Sequence, residues 1–250
     1  MTVTNHLLMT GIMKSGTTFV RTALSQTVGA QIFNIGNPGV SIHQQILPAK
    51  LAEFMALPRG ITGQHIPATE FNLRLLEVSG VKKILVQIRD PRDGIISWWR
   101  HLDTRLARGS DWLAGTYYAI GLMSRNYFEF SSDDRLRDLV QHSYPIFQSW
   151  ISAWAAAIET DRRFEIHVLR YEDFVRDPPS AIRQALDFFG YDIEPVLPNV
   201  TEGPIDTGLR TQTMFRRGQV GSHRSEAPAD VVDALNRGMD RSLARTFGWG

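Results

Sequence analysis

The chain has 250 residues, 43 % of them hydrophobic and 21 % charged, with a net charge of +1. That suffices for one sizeable α/β domain or two small ones with an ordinary buried core, and the near-neutral balance argues against the broad basic face that nucleic acid requires. There is no cysteine, which excludes disulfides and thiolate metal sites.

The stretch "MTVTNHLLMTGIMKSGTT" lacks a charged n-region, so no signal peptide is predicted. No run approaches the roughly 18 apolar residues that span a bilayer. A cytoplasmic domain over 1–250 is the expectation. "HLLMTGI" (6–12) is a short apolar run that suits a buried strand. "TTFVRTALSQTV" (17–28) carries apolar residues at 19, 20, 23, 24 and 28, a helical face. "KKILVQIR" (82–89) is almost continuously apolar, as a strand covered on both faces should be. Pro91 then turns into "RDGIISWWRHL", a predicted helix. A mostly helical, aromatic-rich region follows over about 101–160, with Trp112, Tyr117, Tyr118, Tyr127, Phe128, Trp150 and Trp154. "FEIHVLRYED" (164–173) reads as a strand and turn, and "SAIRQALDFFGYD" (180–192) as an amphipathic helix that Gly190 ends. Segment 199–226 is aperiodic and predicted as a long loop, a length that usually marks function or disorder. Strands alternating with helices imply an α/β fold with a mainly parallel sheet flanked by helices.

Between the first strand and the first helix lies "TGIMKSGTTFV" (10–20). Helix-start N–H groups are unpaired and the helix dipole is positive there, so anions are held well. Gly16 lets the backbone approach an anion, Ser15, Thr17 and Thr18 add hydroxyls, and Lys14 adds a full charge. The structural alternative is a plain glycine turn with a solvent-facing lysine. A nucleotide-binding P-loop has its lysine directly after the second glycine. Here that place holds Thr17, and the lysine precedes Gly16 by two.

With its lysine in that place, "MKSGTTF" resembles the "PKSGTTW" loop of the sulfotransferases that use 3′-phosphoadenosine 5′-phosphosulfate (PAPS). The resemblance implies a P-loop NTPase-like sulfotransferase fold, with Lys14 at the oxygen that bridges phosphate and sulfate. "IRDPRDGIISWW" (88–99) has Arg89 and, eight residues on, Ser97, the pair that in this family holds the 3′-phosphate. Arginine forks onto phosphate with two N–H bonds; the alternative is a pair with Asp90 or Asp93. "VLRYEDFVRDP" (168–178) is similar to the family's "YEDxxxxP", implying that Tyr171 lies near the adenine, with Glu172 and Asp173 bracing the turn. "FRRGQVGSH" (215–223) is similar to the "RKGxxGxW" loop that closes on the cofactor: Arg216, Arg217 and Gly218 match, while His223 replaces the Trp and Ser222 the common Asp. Phe19 stands where the family has an adenine-stacking Trp; the alternative is a core phenylalanine.

Transfer to a hydroxyl requires a proton acceptor, and histidine suits neutral pH. His65 in "ITGQHIP" is similar to the base of the family's "K[ST]HLP", although the family's lysine is Gly63 here. His101 is the second candidate, with Asp103 nearby. Trp98 and Trp99 are core or pocket wall, and Trp150 and Trp154 are helix packing. The 101–160 region is where such enzymes build the acceptor pocket. Its aromatics suit a partly apolar alcohol, phenol or lipid-like hydroxyl, and Arg100, Arg105, Arg108 and Arg125 suit an anionic or sugar acceptor. The expected activity is sulfuryl transfer from PAPS to a small-molecule, lipid or carbohydrate hydroxyl, giving 3′,5′-adenosine bisphosphate (PAP), with no metal. Two other readings stay open. One is a small-molecule P-loop kinase, which needs a Mg²⁺ site and a lysine after Gly16. The other is a non-catalytic nucleotide-binding protein of this fold.

Overall fold

The computed structural model describes residues 4–37, 44–106, 111–198 and 218–250. Five parallel strands form one sheet: β1 (His6–Gly11), β2 (Gln31–Ile32), β3 (Gly60–Ile61), β4 (Lys83–Ile88) and β5 (Glu165–Arg170), in the order β2-β3-β1-β4-β5. Around it run α1 (Thr17–Val28), α2 (Pro48–Met55), α3 (Glu70–Val78), α4 (Pro91–Leu106), α5 (Asp111–Ala119), α6 (Ser132–Thr160), α7 (Tyr171–Arg176), α8 (Pro178–Phe189), α9 (Ser222–Glu226), α10 (Ala229–Gly238) and α11 (Arg241–Phe247). This is the α/β architecture expected, a parallel sheet flanked by helices. The three predicted strands are β1, β4 and β5. Strands β2 and β3 have two residues each, too few to leave a pattern; they exist because Gly60 and Ile61 pair with His6 and Leu7, and β2 pairs with β3 in turn.

Alternate strand residues divide the core. Leu7 and Met9 join Leu85 and Leu169 under α1 and α8, whereas Leu8 joins Ile84, Val86 and Ile88 under α4 and α6. Each such buried side chain contributes roughly 1.5–3 kcal/mol. Gly190 adopts a left-handed φ of +89° and ends α8, as its sequence position predicts. Helix α4 begins where Asp90 Oδ1 accepts the Arg92 N–H at 2.9 Å and Pro91 needs no partner. Of the predicted 199–226 loop, 199–217 lie outside the described residues. The rest departs from the prediction, because 222–226 form the short helix α9.

The strand order places the site. From β1 the chain builds β2 and β3 on one side, then crosses to β4 and β5 on the other. Loops leaving β1 and β4 therefore set off to opposite sides, which makes the carboxyl ends of these strands the switch point where open α/β sheets place a ligand crevice. Gly11 pairs with Gln87 at that point, so the loop after β1 lies beside the loop after β4.

Candidate active site

Residues 12–16 turn the chain from β1 into α1. Lys14 and Gly16 have left-handed φ values of +68° and +83°, and Lys14 is the one non-glycine among the described residues to do so. A side chain in that region costs roughly 1–2 kcal/mol, and such cost persists where the surroundings enforce it. Here they do. Arg89 Nη1 donates to the Lys14 carbonyl at 2.9 Å, and Gln87 Nε2 to the Ser15 carbonyl at 2.5 Å. Ser15 is fully buried; its hydroxyl donates to the Ile12 carbonyl at 2.6 Å and lies 3.2 Å from Thr17 Oγ1. These two hydroxyls stiffen the turn from inside. Among the described residues no carbonyl takes the N–H of Gly16, Thr17 or Thr18. Those donors, with the half-buried Lys14 and Thr18, are what the turn offers an anion.

Arg89 follows β4 and is only 5 % exposed. It pairs with neither Asp90 nor Asp93. Its second bond runs from Nη2 to the Gln219 carbonyl at 3.1 Å, and its guanidinium lies 4.1 Å from the centre of the Tyr171 ring. Tyr171, the first residue of α7, also packs beneath Gly16, where an added Cβ would sit 3.4 Å from the ring. Arg89 thus ties the loop after β1 to the loop after β5 and to the C-terminal segment. Ser97 is half-buried in the second turn of α4. Phe19 is 6 % exposed and packs on Phe174 with ring centres 5.1 Å apart, so its ring belongs to the α1–α7–α8 core. Glu172 accepts the Asp90 N–H at 2.8 Å, which braces the loop after β4.

His65 reaches the same crevice from β3. Its Nδ1 lies 2.6 Å from the Gly11 carbonyl. A carbonyl only accepts, so Nδ1 carries the proton and Nε2 the lone pair. The main chain around the ring is held from three sides. Gln44 Oε1 accepts the His65 N–H at 2.7 Å, Trp150 Nε1 donates to the His65 carbonyl at 3.3 Å, and Trp154 Nε1 to the Ile66 carbonyl at 3.0 Å. The two tryptophans therefore do more than pack α6; they fix the segment that carries the histidine. Burial lowers the His65 pKa to about 4, opposed by the Gly11 bond and reinforced by the positive charges of Lys14 and Arg21. The ring is neutral at pH 7, as a base must be.

A pH dependence follows. If His65 is the base, kcat/KM should hold from neutral pH down through 6.5, the ordinary histidine value, and fall only near its folded pKa of about 4. An acidic limb centred near 6.5 in the measured profile would refute the assignment. Folding stability should also decline as pH drops from 6.5 toward 4, since the unfolded chain takes up this proton first.

The C-terminal segment is clasped to α4 by Asp93. Its carboxylate accepts from the Gly221 N–H at 2.6 Å, the His223 N–H at 3.0 Å and the Ser222 hydroxyl at 3.3 Å, and lies 2.6 Å from His223 Nδ1. Both side chains are 1 % exposed. Although the carboxyl is buried, these donors and the charge of Arg89 hold it below its ordinary pKa. Gly218 begins the described part of this segment with a φ of +60°. Arg216 and Arg217 lie outside the described residues.

On α4, Trp98 and Trp99 are 2 % and 3 % exposed and belong to the core. His101 stacks on Trp98 at 5.4 Å, and Tyr117 meets the same ring edge-on at 5.1 Å. Among the described residues no helix is long and apolar enough to cross a membrane, and no group of three or more His, Asp or Glu could hold a metal ion. Gln87, Asp93 and the indole donors of Trp150 and Trp154 were not foreseen as parts of the site. The one sequence signal among them is Gln87, a polar residue within the apolar run of β4.

A family model for the sulfotransferase domain matches residues 4–247. By sequence alone, no curated protein matches the chain. Among solved structures, a mouse sulfotransferase complexed with PAP superimposes with a TM-score of 0.58 at 15 % identity, over 96 % of this chain and 84 % of that one. A sulfotransferase from Alicyclobacillus acidocaldarius gives 0.49 at 18 % identity, over 98 % and 100 %. Retinol dehydratase in a complex with retinol and PAP gives 0.48 at 13 %, over 95 % and 80 %. At such identities the likeness is one of fold.

Proposed function

The chain belongs to the sulfotransferase domain family, and on that premise we propose that it moves the sulfuryl group of PAPS to a hydroxyl of a small-molecule, lipid or carbohydrate acceptor. The observation that carries this reading is the common anchoring of the candidate groups on residues 11–14. His65 hangs from the Gly11 carbonyl and Arg89 from the Lys14 carbonyl, while Lys14 itself precedes the anion-binding helix start. The residues fit the donor. A buried guanidinium with an unpartnered Nε, an adjacent tyrosine and a glycine-bearing helix start provide for phosphate and base.

When bound, PAPS supplies an activated sulfuryl group on a good leaving group. Lys14 meets the negative charge that grows on the departing phosphate oxygen. His65 Nε2 takes the proton of the attacking hydroxyl. The Nδ1 bond to Gly11 keeps that lone pair in one tautomer, and it steadies the imidazolium that forms. Arg89 and Ser97 grip the 3′-phosphate, and the family resemblance gives Arg216, Arg217 and Gly218 a share in the same phosphate. Tyr171 lies toward the adenine, while Phe19 supports that side from the core against Phe174. The half-buried His101, backed by the core rings of Trp98 and Tyr117, borders the acceptor side, and a cytoplasmic location suits a PAPS-using enzyme.

Calorimetry tests this directly: PAP should bind tightly and ATP weakly. The reverse would favour a kinase. Arg89→Ala should weaken PAP by roughly 10- to 150-fold, the worth of a charge-assisted hydrogen bond of about 1.5–3 kcal/mol. It should weaken an analogue lacking the 3′-phosphate far less. Equal losses for both would leave Arg89 only its ties to Lys14 and Gln219.

A further inference from the structure

Arg21 lies on α1 one turn beyond Thr18, on the same helix face. Its stem lies flat on the backbone of Gly63: a Cβ placed there would come within 2.4 Å of Arg21 Cδ, 3.0 Å of Cγ and 3.1 Å of Cβ. The bare position at 63 is thus filled by a side chain from α1. Gly63 lies two residues before His65, so the stem covers the segment that carries the candidate base, and the Arg21 charge is felt at His65. Its Nε is buried with no hydrogen-bond partner. Burying a cationic N–H without a partner is costly, and an anion at that nitrogen would offset the cost.

We propose that Arg21 is the second cation of the transfer site, standing opposite Lys14 and holding the sulfuryl oxygens as the group passes to the acceptor. This rests on the sulfotransferase reading of the same site. Three observations meet in it: the Arg21 Nε is buried without a partner, the side chain extends from the helix whose first N–H groups face an anion, and its stem covers Gly63 two residues before His65. Lys14 serves the leaving side and Arg21 the entering side. Burial lowers the Arg21 pKa, and its charge joins that of Lys14 in keeping His65 unprotonated.

The test separates charge from packing. Arg21→Met keeps the stem over Gly63 and removes the charge; Arg21→Lys keeps both. With Met, kcat should fall roughly 10²-fold for neutral and acidic acceptors alike. PAP, which has no sulfuryl group, should bind as in the wild type. The His65 titration, followed by NMR without any ligand, should rise measurably above about 4 while staying well short of the ordinary value, because burial is the larger cause and remains. With Lys, both readouts should return toward the wild type. Should Arg21→Met fold poorly, Arg21→Ala/Gly63→Lys carries the same charge into the same space and should be active, whereas Gly63→Lys alone collides with Arg21. The proposal fails if Met and Lys behave alike, if His65 titrates unchanged in Arg21→Met, or if only acidic acceptors suffer. A wild type that does not bind PAP would instead overturn the donor assignment itself.

Discussion

Lys14→Ala is expected to lower turnover by about 10²–10³-fold with every acceptor, the usual loss when one preorganised donor to a developing charge is removed. The loss should be acceptor-independent, because in the proposed mechanism Lys14 acts on the donor's leaving oxygen. Its backbone adds a second handle. With φ at +68°, alanine keeps the left-handed penalty and glycine relieves it. Lys14→Gly should therefore be more stable than Lys14→Ala by about 1 kcal/mol while equally inactive. Chemical denaturation and steady-state rates measured on the same two variants check both halves. Turnover within tenfold of wild type in either would remove Lys14 from the chemistry.

His65→Ala should cost about 10²–10⁴ in kcat/KM with aliphatic alcohols, the range of a lost general base. It should cost much less with an acidic phenol, whose proton leaves without help. The anchoring of the ring supplies the control. His65→Asn can still donate to the Gly11 carbonyl, so it retains the local tie but has no base. If the role is chemical, Asn and Ala should be equally poor with alcohols. If the role is to hold the 64–66 segment, Asn should recover activity, and attention moves to His101. A Brønsted series of acceptors, with circular dichroism to show that each variant is folded, decides between them.

Much of this was legible in the chain itself. β1, α1, β4 and α8 announce themselves through unbroken apolar runs, helical spacing and glycine stops, all local signals. Through the resemblance of "MKSGTTF" to the loop of PAPS-using enzymes, the lysine position implied sulfuryl transfer before any geometry. What was not legible depends on contacts distant in sequence. β2 and β3 are defined by pairing alone. α9 begins where Asp93 takes the N–H groups of Gly221 and His223, so a segment without helical period still turns. Trp150 and Trp154 showed their spacing but not their indole bonds to the His65 segment. Arg21 looked like any polar residue of an amphipathic helix; only the bare Gly63 opposite reveals where it goes. Phe19 was open between stacking and core, and its ring sits against Phe174.

The ties that assemble the crevice join residues far apart in the chain. His65 reaches Gly11 across 54 positions, Arg89 reaches Lys14 across 75 and Gln219 across 130, and His223 reaches Asp93 across 130. Each closes a long loop before it returns any energy, so a fold built this way carries a high contact order and collapses slowly. The clasp of the C-terminal segment has the longest of these loops to close, so it is expected to form late in folding, which pulsed hydrogen exchange at Gly221 and His223 checks. Nucleotide affinity is then a reporter of the completed chain, absent from partly folded forms that already contain the sheet. By mass action the same nucleotide favours completion: at a hundred times its Kd it adds about 2.7 kcal/mol to the native state.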